Sequence, residues 1–164
     1  MPYHVGEIII HPAHGGCVVQ AINHIDAGGS SEECYILQLL HDTNMTVFVP
    51  LRSADAIGLR YVIDQSDAQD ILHSIPDMET DWVKFSNVRK MNFARILKSG
   101  SLIELANMIK NLVHYSRCGT LSTSDQRFYK DGMKKLVSEL SLSLKQDYEN
   151  MENSILGFMH DGSD

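Results

Sequence analysis

Positive charge is almost missing from the first 76 residues, where Arg52 and Arg60 stand against nine acids (Glu7, Asp26, Glu32, Glu33, Asp42, Asp55, Asp64, Asp67 and Asp70). A stretch about seven charges negative is a poor partner for a phosphate backbone and points instead to a protein. Cysteine is scarce as well: Cys17, Cys34 and Cys118 are odd in number, far apart and without a CxxC pair. That argues against both a disulfide framework and a structural zinc site, so reduced thiols are expected. His11, His14 and Cys17 have ligand-like spacing, but no fourth ligand is evident and the three bracket a Pro-Gly turn. No run of 18 apolar residues exists, which excludes a membrane-spanning helix, and MPYHVGEIII has neither the charged region nor the apolar stretch of a secretory signal. A cytoplasmic location is expected. A phosphate-binding GxxxxGK[ST] loop and a nucleophile elbow are also absent, so no enzyme and no cofactor are expected.

What the chain does have is a reversal of charge. From Trp82 to Lys145 there are twelve Lys and Arg against Glu104, Asp125, Asp131 and Glu139, about eight positive charges that the overall value of -7 conceals. Such asymmetry predicts two jobs, with nucleic acid the candidate partner of the second half. The 164 residues are 43% hydrophobic, enough to bury one core or two small ones.

In the first half, β-branched and apolar clusters at 7–10, 17–25, 34–40 and 45–49 alternate with turn chemistry. Pro12 with Gly15 and Gly16 marks one connection, AGGS at 27–30 a hairpin, and HDTN at 41–44 a side-chain-stabilised turn. Four strands at this spacing predict a small, strongly bent antiparallel sheet or open barrel, ended by Pro50. A turn at 53–57 and a helix at 67–74, capped by Ser66 and stopped by Pro76, form the expected connector.

Three helices are predicted next. The first spans about 81–98 after the acidic lead DMETD and closes at Ser99-Gly100. The second opens with the capping box Ser101-x-x-Glu104 and has an apolar stripe of Leu102, Leu105, Ala106, Ile109, Leu112 and Val113. The third opens with the shorter box Ser122-x-x-Asp125, buries Tyr129, Met133, Leu136, Val137, Leu140 and Leu144, and carries an unfavourable Gly132. Beyond Asp147 an acidic tail is expected, with at most a short helix that frays.

VGEIIIHPAHGGCVVQAI, YILQL and MTVFVPLRSADAIGLR together resemble the N-terminal module of the CarD/CdnL family of transcription regulators. Val5, Gly6, Glu7, Pro12, His14, Gly15, Met45, Thr46, Val47, Val49 and Pro50 match its pattern, and His11 replaces a usual Tyr. KSGSLIELANMIKNL and LSTSDQRFYKDGMKKLVSELSLSL are similar to the family's C-terminal domain, so the resemblance covers roughly residues 4–145.

It implies an α+β chain: a Tudor-like small antiparallel barrel or sheet at 1–65, a connector at 66–80, a compact helical DNA-binding domain at 81–146 and a tail at 147–164. It also implies that the first domain binds the β subunit of bacterial RNA polymerase, through Ile25, Met45, Thr46, Phe48 and Pro50. The second would bind upstream promoter DNA without sequence readout, through Trp82, Lys84, Arg89, Lys90, Lys110 and Arg127, and so stabilise the open promoter complex. The family's first helix carries Trp-x-x-Arg-x-Lys; counted back from Ser99-Gly100, Arg89 meets the Arg but Ser86 falls at the Trp. Trp82, the only tryptophan, lies one helical turn earlier and is either a packed core residue or the wedge against a base step; the resemblance favours the wedge. Ile25 and Phe48 occupy positions that are often Arg, which leaves a protein adaptor without DNA contact as the alternative.

Overall fold

The computed structural model describes residues 3–161, which divide into two compact units, one ending at Val62 and the other starting at Ile63. In the first, β1 (Ile8–His11), β2 (Gly15–Ala27), β3 (Ser30–Leu39), β4 (Thr46–Pro50) and β5 (Arg60–Tyr61) form one antiparallel sheet in the order β4-β3-β2-β1-β5. The period of two puts Cys17 and Val19 of β2, and Tyr35, Leu37 and Leu39 of β3, in the core with Ile9 and Val49. A register shift between Val19 and Ala21 bends the sheet there. The β2–β3 hairpin turns on Gly28 and Gly29, both at positive φ.

The expected turn after Pro50 is a 3-10 turn (Leu51–Ser53) followed by a one-turn α1 (Ala54–Ile57), ended by left-handed Gly58. Tyr3 closes this unit: its hydroxyl donates to Leu59 O at 2.8 Å and its backbone N–H donates to the Tyr35 hydroxyl at 3.0 Å. The two-residue β5, paired with β1 through Ile9 and Ile10, gave no periodic signal of its own.

The second unit contains α2 (Gln65–Ser74), α3 (Ser86–Ser99), α4 (Leu102–Ser116), α5 (Thr123–Leu144) and α6 (Tyr148–Asp161). Residues 66–80 are therefore no mere connector, because Ala68, Ile71, Leu72 and Ile75 belong to the helical core. The cap of α2 is Asp64, which accepts from Asp67 N–H at 2.8 Å, rather than Ser66. The expected tail is likewise corrected: Met151, Ile155 and Met159, spaced by four, bury one face of α6 completely in the same core. Gly132 is buried where α5 packs closely on α4: a Cβ there would meet Met108 Cε at 2.8 Å and press on Leu105 and Ile109. Among the described residues no helix is long and apolar enough to cross a membrane.

Helix α3 starts at Ser86, five residues later than expected, with extended Phe85 before it and left-handed Gly100 after it. Residues 78–85 form a strap without helix or strand, so their backbone groups need other partners. Those partners are side chains of α3 and α4, and they define the site.

Candidate functional site

Ser101 caps α4 by accepting from Glu104 N–H at 3.3 Å, while the Glu104 carboxylate turns to Arg95 at 3.4 Å. At α5 the box with the shorter acid is complete: Ser122 Oγ accepts from Asp125 N–H at 3.1 Å and Asp125 Oδ2 accepts from Ser122 N–H at 3.3 Å. This fixes the Asp125 carboxylate, and Arg89 of α3 pairs with it through two hydrogen bonds of 2.9 Å, Nε to Oδ1 and Nη2 to Oδ2. The remaining Arg89 nitrogen, Nη1, donates to Val83 O at 2.9 Å and Lys84 O at 3.4 Å in the strap. Burial pushes the Asp125 carboxyl up, but the hydrogen bonds from Arg89 and Ser122, with the Arg89 charge, outweigh it and hold the group below its ordinary value.

Trp82 sits in the same cluster. Tyr115 of α4 stacks on it at 3.9 Å between centroids with 2° between planes, and the Arg89 guanidinium lies over the ring 4.5 Å from its centroid. With Tyr115 on one face Arg89 takes the other, and Phe93 meets the ring edge at 6.5 Å. Both faces carry a neighbour and the ring is half-buried, so in this structure Trp82 is packed rather than standing free as the wedge the resemblance implies. A cleft of about 370 Å³, lined by Trp82, Lys84, Arg89, Tyr115, Thr120, Ser122 and Asp125, opens beside the stack.

Two expected DNA-contacting cations are corrected for the same reason. Arg89 is 6% exposed and committed to Asp125 and the strap. Lys110 is 3% exposed, and its ammonium donates to the carbonyls of Ile75, Pro76 and Met78 at 2.7–2.9 Å. Burial pulls its pKa down, and the Asp77 charge counters part of that. Lys84, Lys90 and Arg127 are exposed. Lys84 precedes α3, whose outward row is Val88, Met91, Arg95 and Lys98. Tyr115, Asn107 and Asn111 were not read as site residues; Asn107 donates to Glu79 O and Asn111 Oδ1 accepts from Asp81 N–H, so both pin the strap to α4.

In the sheet unit, β4 is an edge strand. Val47 and Val49 face the core, while Thr46 and Phe48 point outward, Phe48 being 54% exposed. Met45, exposed, precedes the strand and Pro50, half-buried, ends it. Ile25 is not beside them: Phe48 pairs with Ile36 and Ile36 with Ala21. Ile25 lies four residues farther along β2, about 13 Å toward the hairpin tip. Cys17, buried, donates its S–H to Gly15 O, and burial pushes its thiol up to about 11; the neighbouring His11 ring accepts from Ala13 N–H.

Comparison with known proteins agrees with this division. The family model described as the CarD-like/TRCF RID domain matches residues 3–63, and that described as the CarD C-terminal domain matches residues 70–156. The chain is 24% identical over 141 residues to a protein named "Putative transcription factor YdeB" from Bacillus subtilis (strain 168), covering 85% of this chain and 91% of that protein. A sheet unit and a helical unit, each matched in the same order along the chain, make this protein a member of the CarD family of transcription factors, with a polymerase-interaction type of module at its N-terminal end.

Proposed function

We propose that this chain regulates transcription by binding the β subunit of bacterial RNA polymerase through its sheet unit and upstream promoter DNA through its helical unit, so that the open promoter complex lives longer. The observation that carries the reading is the open edge of β4, with Phe48 projecting beside it in the module of polymerase-interaction type. An edge strand offers unpaired backbone groups to a strand of a partner, and an aromatic side chain supplies the apolar anchor. On the other side, exposed Lys84, Lys90 and Arg127 suit phosphates and carry no sequence information. Catalysis has no place in this reading.

The test is capture of RNA polymerase from a bacterial extract, repeated with the isolated β subunit and followed by a salt wash. Wild type retains both, and Phe48→Asp, at an exposed position, loses both while keeping its melting temperature. Capture undiminished by Phe48→Asp places the interface elsewhere. A second reading, an adaptor that holds polymerase without touching DNA, is favoured by the burial of Arg89 and Lys110, which removes two of the six expected DNA contacts. Flow-through on a duplex DNA column at low salt selects it.

A further inference from the structure

Glu139 belongs to none of the surfaces described above. It stands on α5 between Leu136 and Leu140, both closed off from solvent, and is itself 3% exposed. A carboxylate so buried needs a donor, and its Oε2 accepts from the Ile63 N–H at 3.1 Å. Ile63 is the first residue of the helical unit and lies in neither strand nor helix. Its N–H therefore has no ladder or helical partner, and a carboxylate makes the stronger kind of hydrogen bond to it. The Ile63 side chain packs on the helical core, and Asp64 caps α2 directly afterwards. On the other side, Tyr61 pairs with Ile9 in the sheet. The chain between the last residue held by the sheet and the first held by the helices is thus Val62 alone. Linkers between domains are commonly polar and rich in Gly or Pro, and RYVID at 60–64 has neither. Helix α5 also carries Asp125, about 21 Å from Glu139 along the axis. Asp125 fixes Arg89 of α3, so the chain's point of entry and a cation-bearing helix are mounted on one element.

We infer that Glu139 is a positioning residue: by holding Ile63 it keeps the free chain between the two units down to Val62, so that a helical unit on DNA stays tied without slack to a sheet unit on polymerase. The inference rests on the two-partner reading of the proposed function and adds no contact to either partner. Slack matters because two linked modules act together at an effective concentration that the linker sets, and this falls roughly as the -3/2 power of linker length.

The test keeps both units whole and changes what lies between them. Four glycines inserted between Val62 and Ile63 leave the Glu139 bond and the sheet pairing in place and lengthen the free chain from one residue to five. Open-complex lifetime is followed on a promoter fragment with purified bacterial RNA polymerase after a heparin challenge, beside polymerase capture and duplex affinity. The insertion raises the protein concentration needed for half of the wild-type gain in lifetime by about tenfold, while capture and duplex affinity are unchanged. Glu139→Ala leaves the Ile63 N–H without this acceptor and moves the same way; if it does not fold, Glu139→Leu takes its place. Glu139→Gln keeps an oxygen for that N–H and restores wild-type behaviour. An insertion that leaves the half-maximal concentration unchanged, with both binding activities intact, overturns the inference. An insertion effect with none in a folded Glu139→Ala or Glu139→Leu overturns the role of Glu139. Wild type that captures no polymerase or binds no duplex at low salt sinks the two-partner reading itself.

Discussion

In the sheet unit Thr46 and Phe48 reach solvent because they take alternate positions on an edge strand, whereas in the helical unit Arg89 and Lys110, charged and equally expected outside, have been drawn in. The difference lies in what each backbone leaves unsatisfied. A strand pairs its N–H and C=O groups with neighbouring strands or, at an edge such as β4, leaves them to solvent, so it draws no side chain inward and the side chains follow the period of two. The strap between α2 and α3 leaves carbonyls such as those of Met78, Val83 and Lys84 without helical or strand partners, and long cations from α3 and α4 satisfy them. Positive charge counted along a helical sequence is therefore not positive charge at its surface.

The largest effect expected from breaking that arrangement is at the buried ion pair. Arg89→Ala strands the Asp125 carboxylate and two strap carbonyls, and is expected to cost about 3 to 5 kcal/mol in urea unfolding. The pH dependence follows from the depressed Asp125 pKa. The ion pair contributes fully above the unfolded value of about 4 and is lost as pH falls through the lower folded value. The stability gap between wild type and Asp125→Asn is thus widest above pH 4 and closes below it. A gap independent of pH across that range contradicts the assignment.

Lys110→Met comes next. It keeps the apolar stem but leaves the carbonyls of Pro76 and Met78 without the donor they share and Ile75 O with the Met78 N–H alone, for a loss of about 2 to 3 kcal/mol. Its DNA affinity, measured below the melting transition, stays at the wild-type value, and a fall in affinity without a fall in stability would return Lys110 to the surface.

Trp82→Ala is expected to cost about 2 kcal/mol, less than a fully buried tryptophan because the ring is only half-buried. Thermal unfolding checks it, and an unchanged melting temperature would favour the wedge that the resemblance implied.

How far the sequence was legible follows the same line. The first four strands, the AGGS hairpin, the caps Ser101 and Ser122 and the stop at Gly100 are local signals, and each has its counterpart in the structure. The late start of α3 was not readable, because Asn111, thirty residues away, holds Asp81, and Arg89 turns back from α3 to hold Val83 and Lys84 only once it is paired with distant Asp125. Helix α6 was readable and missed: its acids drew attention from Met151, Ile155 and Met159 at a spacing of four. At the site, charge and aromaticity marked the right neighbourhood around Trp82 and Arg89. Which of these groups faces solvent depended on Tyr115 and Asp125, contributed by two other helices.

The measurement that tests the account most directly is the salt dependence of duplex binding by the intact chain. Wild type should show a slope of log affinity against log salt of about -3 to -5, as a handful of phosphate contacts requires. The double variant Lys84→Gln, Lys90→Gln should be shallower by about 2, while Arg89→Lys keeps the wild-type slope. An unchanged slope in the double variant, or a slope lost in Arg89→Lys, would contradict the division between buried structural cations and exposed DNA-facing ones.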